Sequence, residues 1–320
     1  MSMPKVLTVI ALSLFVLVGV VGFFKDSKVD NANYTVTSLE SMEISIEEPL
    51  ENAQDDNISA KSLRELPECD RIDEIFNLGL PKMPIVETVT YSSRVEWKKG
   101  AAWVVDYARY YDTSRHMIAR SLNKGPDYYT QNVTNGDRFN VFRKDGNFSF
   151  HLLTDMSKCK MGFYYYDIDN DDLTLIKTYN IGLGRPDTSK PSGSLTPLGT
   201  YSLGDKIAVY KDNSRGYYNG ERISMVSVFG TRWLPFGDEI SDCTEPSKGF
   251  GIHGAPWNLK SNTYYEARNS VGKRESDGCL RLLSEDIEEL FAIIVSKPTY
   301  IHLVADLDSI DLHQKVKQLN

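Results

Sequence analysis

From Phe148 onward the chain is written in period two. "FSFHLL" alternates, "GFYYYDI" is aromatic and β-prone, and "LTLIKTYNIGLG" follows an acidic turn. Successive side chains of a strand point to opposite faces, so this pattern predicts a half-buried antiparallel sheet and excludes an all-helical domain. The Gly/Pro/Ser-rich stretch Gly182 to Leu203 returns to a strand at "TYSL", and "VFGTRWLPF", Val228 to Phe236, gives another aromatic strand, for which a core strand with Arg232 snorkelling beside Trp233 is one reading. "DIDNDD", Asp167 to Asp172, alternates acids like a calcium loop. It has Asp172 and Thr178 where an EF-hand needs Gly and Glu, so it reads as a solvated hairpin turn.

The 320 residues leave room for two folded domains and non-globular segments. Val6 to Phe24 is uncharged and long enough to cross a bilayer as one helix, which predicts a membrane anchor, or a signal segment of unusual length, over residues 1–25. Asp26 to Asp70 carries 12 Asp/Glu against Lys28, Lys61 and Arg64, with no Phe or Trp. So little apolar surface cannot offset ordering entropy, and an acidic disordered linker is expected over 26–82. Removing that segment's charge of −9 from the chain's −8 leaves about +1, so a nucleic-acid footprint is missing.

Between the linker and the sheet, Trp103, Val104, Tyr107, Ala108 and Tyr111 fall on one helical face. "DTS" then breaks and caps, and Met117, Ile118, Ser121 and Leu122 form a second stripe. "NVTNGDRFNVF" supplies a turn at Asn135-Gly136 and a short strand. His116 is expected on the solvated side. The order "KKGAAW", "YARYYDTS", "VTNGDRFNVF" resembles the lysin-motif (LysM) domain, which implies a β-α-α-β module over 83–145 that binds peptidoglycan glycan.

Cys69, Cys159, Cys243 and Cys279 lie far apart without a C-x-x-C pair, which argues against zinc; two of the first three are candidates to pair in an oxidising compartment. Cys279 differs in context. It follows Gly278 and precedes "LRLLSEDIEELFAII", in which Ser284 is expected to cap a helix that buries Ile287, Leu290, Phe291 and Ile294. A thiol of pKa near 8.5 needs a partner to take its proton. His253, in "GIHGAP" between Gly251 and Gly254, is the natural base. Amides around Gly278 and Cys279 would face an oxyanion, and Arg281 would bind a carboxylate or brace the turn. His151 and His302 are read as structural.

"IHG", "SVGKRESDGCLRL" and "SEDIEEL", preceded in order by "TYNIGLG", "TPLGTY" and "FGTRW", resemble the L,D-transpeptidase (YkuD-type) family. That resemblance implies a mainly β chain: a β-sandwich catalytic domain over 146–306 and a C-terminal tail over 307–320. It implies that Cys279 attacks the diaminopimelate carbonyl of a tetrapeptide stem and releases D-Ala. An acceptor amine then resolves the thioester and forms a crosslink. His253 is the base, Ser276, Gly278 and Gly254 shape the turn and oxyanion site, and Arg281 is the motif arginine; no metal or cofactor is called for. Partners are peptidoglycan stem peptides and glycan strands, reached from an extracytoplasmic position anchored to the inner membrane. Water or a lipoprotein lysine as acceptor, a non-catalytic wall-binding scaffold, and a thiol redox protein are the competing readings. The connection "APWNLKSNTYYEARN" is longer than the family's usual one and predicts a substrate-facing loop using Trp257, Tyr264 and Tyr265, or else a surface excursion.

Overall fold

A computed structural model describes residues 64–123 and 132–320. The apolar segment Val6 to Phe24 and nearly all of the acidic stretch lie outside the described residues. No helix among the described residues is long and apolar enough to cross a membrane.

The described chain opens with α1 (Asp73–Phe76), β1 (Val86–Thr90), α2 (Val104–Tyr110), α3 (Arg115–Asn123) and β2 (Arg138–Phe142), followed by the long strands β3 (Phe148–Asp155), β4 (Lys160–Asp167) and β5 (Asp172–Asn180). Then come β6 (Leu183–Gly184), β7 (Gly199–Leu203), β8 (Ala208–Val209), β9 (Arg215–Tyr218), β10 (Glu221–Ser224), α4 (Val226–Phe229), β11 (Arg232–Ser241) and β12 (Gly251–Gly254). The chain closes with β13 (Trp257–Lys260), β14 (Thr263–Glu266), β15 (Arg274–Ser276), β16 (Leu280–Leu282), α5 (Ser284–Ile294), β17 (Thr299–Val304) and α6 (Leu312–Leu319).

The domain is mainly β, as the alternation predicts, but its strands join one nine-stranded sheet where a two-sheet sandwich was expected. The order is β16-β12-β11-β7-β17-β3-β4-β5, with β8 on β11. Register shifts at Phe236, Glu239 and Ser241 interrupt β11 midway along this sheet, the kind of bulge that bends a strand and raises its twist. Helix α5 fills one face with Ile287, Leu290, Phe291 and Ile294, all at most 1% exposed, against Leu234, Ile252 and Leu280. Each such side chain is worth about 1.5–3 kcal/mol of burial. Every residue of β3 is buried. Phe148, Phe150 and Leu152 enter the main core, while Ser149 and His151 face the other way.

Three boundaries differ from the sequence reading. Residues 64–71 are ordered, not linker: they run beside β5, at one end of the sheet, through Thr178 N to Cys69 O (2.9 Å) and Arg71 N to Ile176 O (2.9 Å). Backbone pairing of this kind covers an otherwise open edge. The last residues are not a loose tail, because α6 docks with Val316 buried, His313 at 3.0 Å from Asp171 and Lys315 at 2.7 Å from Asp242. Third, the residues around 83–145 are not a separate body. They fold in the order β-α-α-β, with β1 antiparallel to β2. Their outer cluster holds Tyr91, Tyr107, Ile118 and Phe139, but Val86, Met117 and Phe142 belong to the core of the large sheet.

Details within that module follow from its packing. Trp103 is not on the buried helix face. It precedes α2, its amide held by the Asp106 carboxylate (2.8 Å), and its side chain is 63% exposed. His116 is half-buried edge-on against Phe291 at 5.0 Å, because α3 packs on α5 where solvent was expected. Arg232 does not snorkel: it is buried, with Glu288 at 3.6 Å and Phe291 beneath its guanidinium. All four cysteines are free thiols. The acidic stretch Asp167 to Asp172 forms the β4–β5 hairpin turn.

Candidate active site

Strand β12 lies between β11 and β16. It runs antiparallel to β11, with Trp233 opposite His253, and parallel to β16, with His253 opposite Arg281. Extending that register by two residues sets Cys279 beside Gly251. That register would put Cys279 on the sheet face of His253, about one side-chain repeat away. The thiol points at the Gly249 carbonyl (3.5 Å) and receives the Gly251 amide. Gly251 has no room for a side chain, since a Cβ there would sit 2.5 Å from the Leu234 carbonyl.

The turn before the sulfur is locked by its own polar groups. Ser276 Oγ donates to the Cys279 carbonyl (2.7 Å) and accepts the Gly278 amide (3.2 Å). Thr196 Oγ1 donates to the Gly278 carbonyl (2.9 Å) and accepts from the Gly184 amide (2.7 Å). Gly278 has φ +123°, and a Cβ on it would meet Phe250 at 2.5 Å and the Leu195 carbonyl at 2.8 Å. Only glycine fits that backbone. One expectation changes as a result: the Gly278 amide is taken by Ser276 and is not turned toward an oxyanion. Asp277 is forced outward between these fixed neighbours and pairs with Arg185 at 2.5 Å.

The His253 imidazole is 4% exposed under an aromatic wall, with Phe229 edge-on at 5.5 Å and Trp233 at 6.0 Å. Its Nδ1 lies 2.8 Å from the Gly254 carbonyl. A carbonyl only accepts, so Nδ1 carries the proton and Nε2 presents a lone pair. Burial lowers the His253 pKa to about 4, opposed by the Gly254 carbonyl and aided by the Arg281 charge. Burial pushes the Cys279 thiol up to about 11, while the Gly251 amide and Arg281 pull it down. Burial thus favours the neutral form of the thiol and of the imidazole alike. Arg281 Nε is buried without a hydrogen-bond partner.

The expected loop is the hairpin β13–β14, turned by Ser261 and Asn262 in left-handed conformation. Trp257, Tyr264 and Tyr265 sit on it. Trp257 Nε1 donates to Ser284 Oγ (3.2 Å), and Tyr265 is 57% exposed. Ser284 does not cap α5. Its amide donates to the Glu266 carboxylate (2.6 Å), so the hairpin supplies the cap from outside the helix.

A second hairpin, β9–β10, was not foreseen from the sequence. Asn219 (φ 50°) and Gly220 (φ 82°) form its two-residue turn, and Asn-Gly between β-prone runs is the signal that reveals it. Tyr218 from this hairpin packs edge-on to Phe229 at 5.6 Å.

Residues 149–302 match the YkuD family, the L,D-transpeptidase catalytic domain. That part of the chain is a YkuD-type L,D-transpeptidase catalytic domain. Among solved structures, Bd1075 of Bdellovibrio bacteriovorus is similar at 16% identity and TM-score 0.32, covering 53% of each chain. The helical cell shape determining protein Pgp2 of Campylobacter jejuni is similar at 18% identity and TM-score 0.31, covering 49% of this chain and 47% of that one. The chain thus spans about half the length of the solved structures it matches. Among curated proteins, none matches the chain.

Proposed function

We propose that the protein is a cysteine-dependent peptidoglycan L,D-transpeptidase with Cys279 as nucleophile and His253 as general base. The observation that carries this reading is the Nδ1 contact of His253 to the Gly254 carbonyl, which leaves Nε2 basic on the strand beside the sulfur. In the first step Sγ bonds to the diaminopimelate carbonyl carbon as its proton passes to Nε2. The carbonyl π pair moves to oxygen, then returns and expels the D-Ala nitrogen, which takes the proton from His253 and leaves a thioester. In the second step an amine of another stem attacks that carbon, gives its proton to His253, and displaces the thiolate. Because burial favours a neutral thiol and a neutral imidazole, the proton moves during attack.

In this reading Arg281, with its unpaired buried Nε, receives a stem carboxylate, and the Ser276–Gly278 turn holds the sulfur in place. The β-α-α-β module lies against glycan strands. The domain works outside the cytoplasm, tethered by the N-terminal apolar segment, in cell-wall biogenesis and cell shape. Trp257, Tyr264 and Tyr265 remain candidate contacts for a more distant part of the substrate.

Incubation of the purified protein with a carbapenem tests the reading. A stable mass adduct on wild type and none on Cys279→Ser is expected. A folded wild type whose Cys279 reacts with small alkylating agents yet forms no adduct would remove the acyl-transfer assignment. Muropeptide profiles with and without the protein then identify the acceptor: crosslinked dimers indicate an amine, shortened monomers indicate water, and a stem-linked lipoprotein lysine indicates attachment.

A further inference from the structure

The turn that carries Cys279 is held between two strands. On one side lies β12 with His253, and on the other the stretch Gly182 to Arg185. Arg281 and Gly182 exchange backbone hydrogen bonds (2.8 and 2.9 Å), β15 runs parallel to β6, and the Arg185 amide donates to the Ser276 carbonyl (2.9 Å). The Arg185 carbonyl in turn accepts the Leu195 amide (2.9 Å), so its backbone is pinned on both sides.

A charged pair stands on this second side. Asp277, two residues before the sulfur, meets Arg185 through one oxygen and one nitrogen, Oδ1 and Nη2 at 2.5 Å. The two side chains are 72% and 60% exposed. An exposed pair of this kind adds little to stability, and the turn is already held by Ser276 and Thr196. The pair therefore opens at small cost, and it offers a carboxylate and a guanidinium one hydrogen bond apart.

In the proposed mechanism His253 gives its proton to the leaving nitrogen. That nitrogen then lies on the β12 side of the carbonyl, and the acyl residue extends away from it, toward Asp277 and Arg185. In the donor stem this residue is diaminopimelate, whose side chain ends in a free amino-acid head with an ammonium and a carboxylate on one carbon. Four carbon–carbon bonds join its two α-carbons, about 5 Å when extended, and Cα atoms two residues apart are separated by at most about 7 Å, so head and pair are commensurate. We infer that Asp277 and Arg185 form the subsite for this head, the carboxylate of Asp277 accepting from its ammonium and the guanidinium of Arg185 donating to its carboxylate. The assignment rests on the acyl-transfer reading above and adds donor selectivity to it; no covalent bond changes at the pair.

The test compares three acyl donors on wild type, Arg185→Gln and Asp277→Asn. A synthetic tetrapeptide stem with diaminopimelate before its D-Ala carries the full head. The same stem with lysine keeps the ammonium and lacks the carboxylate, and a carbapenem has no such head. Wild type is expected to release D-Ala from the diaminopimelate stem about tenfold better, in kcat/KM, than from the lysine stem, the scale of one charge-assisted hydrogen bond. Arg185→Gln is expected to lose that advantage and to treat the two stems alike. Asp277→Asn is expected to lose about tenfold on both stems. Carbapenem acylation is expected not to fall in either variant, because the Asp277 charge raises the thiol pKa and does not activate the sulfur. Stem kinetics unchanged in both variants overturn the assignment. A parallel fall in stem turnover and carbapenem acylation overturns it too, in favour of a brace for the turn. A wild type that the carbapenem acylates but that does not prefer the diaminopimelate stem overturns the subsite and leaves acyl transfer standing. A folded wild type inert to the carbapenem defeats the acyl-transfer reading itself, and the subsite with it.

Discussion

Ser114 ties the β-α-α-β module to the catalytic domain: its hydroxyl donates to the Ala292 carbonyl in α5 and accepts the Met117 amide at the start of α3. One side chain thus caps one helix and bonds a carbonyl of the next. Around it, Lys297 pairs with Asp112 at 2.8 Å and Arg120 with Glu288 at 3.5 Å. Met117 and Phe142 complete the core beneath β3. The module is therefore built into the same core as the large sheet.

The shared core predicts a single unfolding transition for the folded body. Ser114→Ala loses a helix cap and leaves the Ala292 carbonyl without its donor, a combined cost of about 2 kcal/mol. Calorimetry is expected to show one peak moving down in temperature for both domains together. Two separated peaks would show the module melting on its own.

The neutral forms that burial favours in the site predict an unusual pair of pH profiles. Thiolate is the alkylating species, and burial holds the thiol up near 11, so iodoacetamide reaction is expected to be slow at pH 7 and to keep rising toward pH 11. In the proposed mechanism acylation depends instead on His253 as a neutral base. Its pKa of about 4 predicts a rate that climbs through pH 4 and is level by pH 6. An alkylation profile that saturates near pH 7 would indicate a preformed thiolate and contradict this assignment.

Gly278 marks where the sequence was most informative. Its φ of +123° and crowded surroundings predict that Gly278→Ala disrupts the turn, with a strain of about 1–3 kcal/mol. Ser276→Ala removes the hydroxyl that bridges Gly278 N and Cys279 O without adding bulk. Both variants are expected to lose acylation, but only Gly278→Ala carries the steric clash with Phe250. A Gly278→Ala variant of native melting temperature and rate would be incompatible with the described turn.

The strand alternation after Phe148 and the helix face of Ile287, Leu290, Phe291 and Ile294 were legible because burial imposes a period on sequence. Cys279 and His253 stood out because glycines flank them. Other features depend on contacts between distant segments, which leave no local pattern. The cap on α5 comes from Glu266, the partial burial of His116 from α5, and the ordering of residues 64–71 from the edge of β5. The β9–β10 hairpin carried a readable turn signal, Asn219-Gly220, but the packing of its Tyr218 on Phe229 is set by the fold.

The two structural histidines give a last prediction. His151 and His302 are fully buried on the second face of the sheet, Nδ1 of one 3.0 Å from Nε2 of the other, with Ser149 and Thr200 at the ends of the chain. Burial lowers both pKa values to about 3; the His302 charge adds to the shift on His151, and Lys315 of α6 adds to that on His302. Unfolded imidazoles titrate near 6.5, so below that pH the unfolded chain binds more protons than the native one. The stabilisation is complete above pH 6.5 and is lost as pH falls toward 3, at about 1.4 kcal/mol per pH unit for each imidazole. His253, held near 4, adds to the same limb. Denaturant unfolding between pH 7 and 4 is expected to show a steep loss of stability in wild type. The double variant His151→Gln, His302→Gln starts less stable at pH 7 because its buried partners no longer match. Its loss of stability with acid is expected to be shallower, since two of the three titrating groups are gone. Equal slopes in the two proteins would show that the acid sensitivity arises elsewhere.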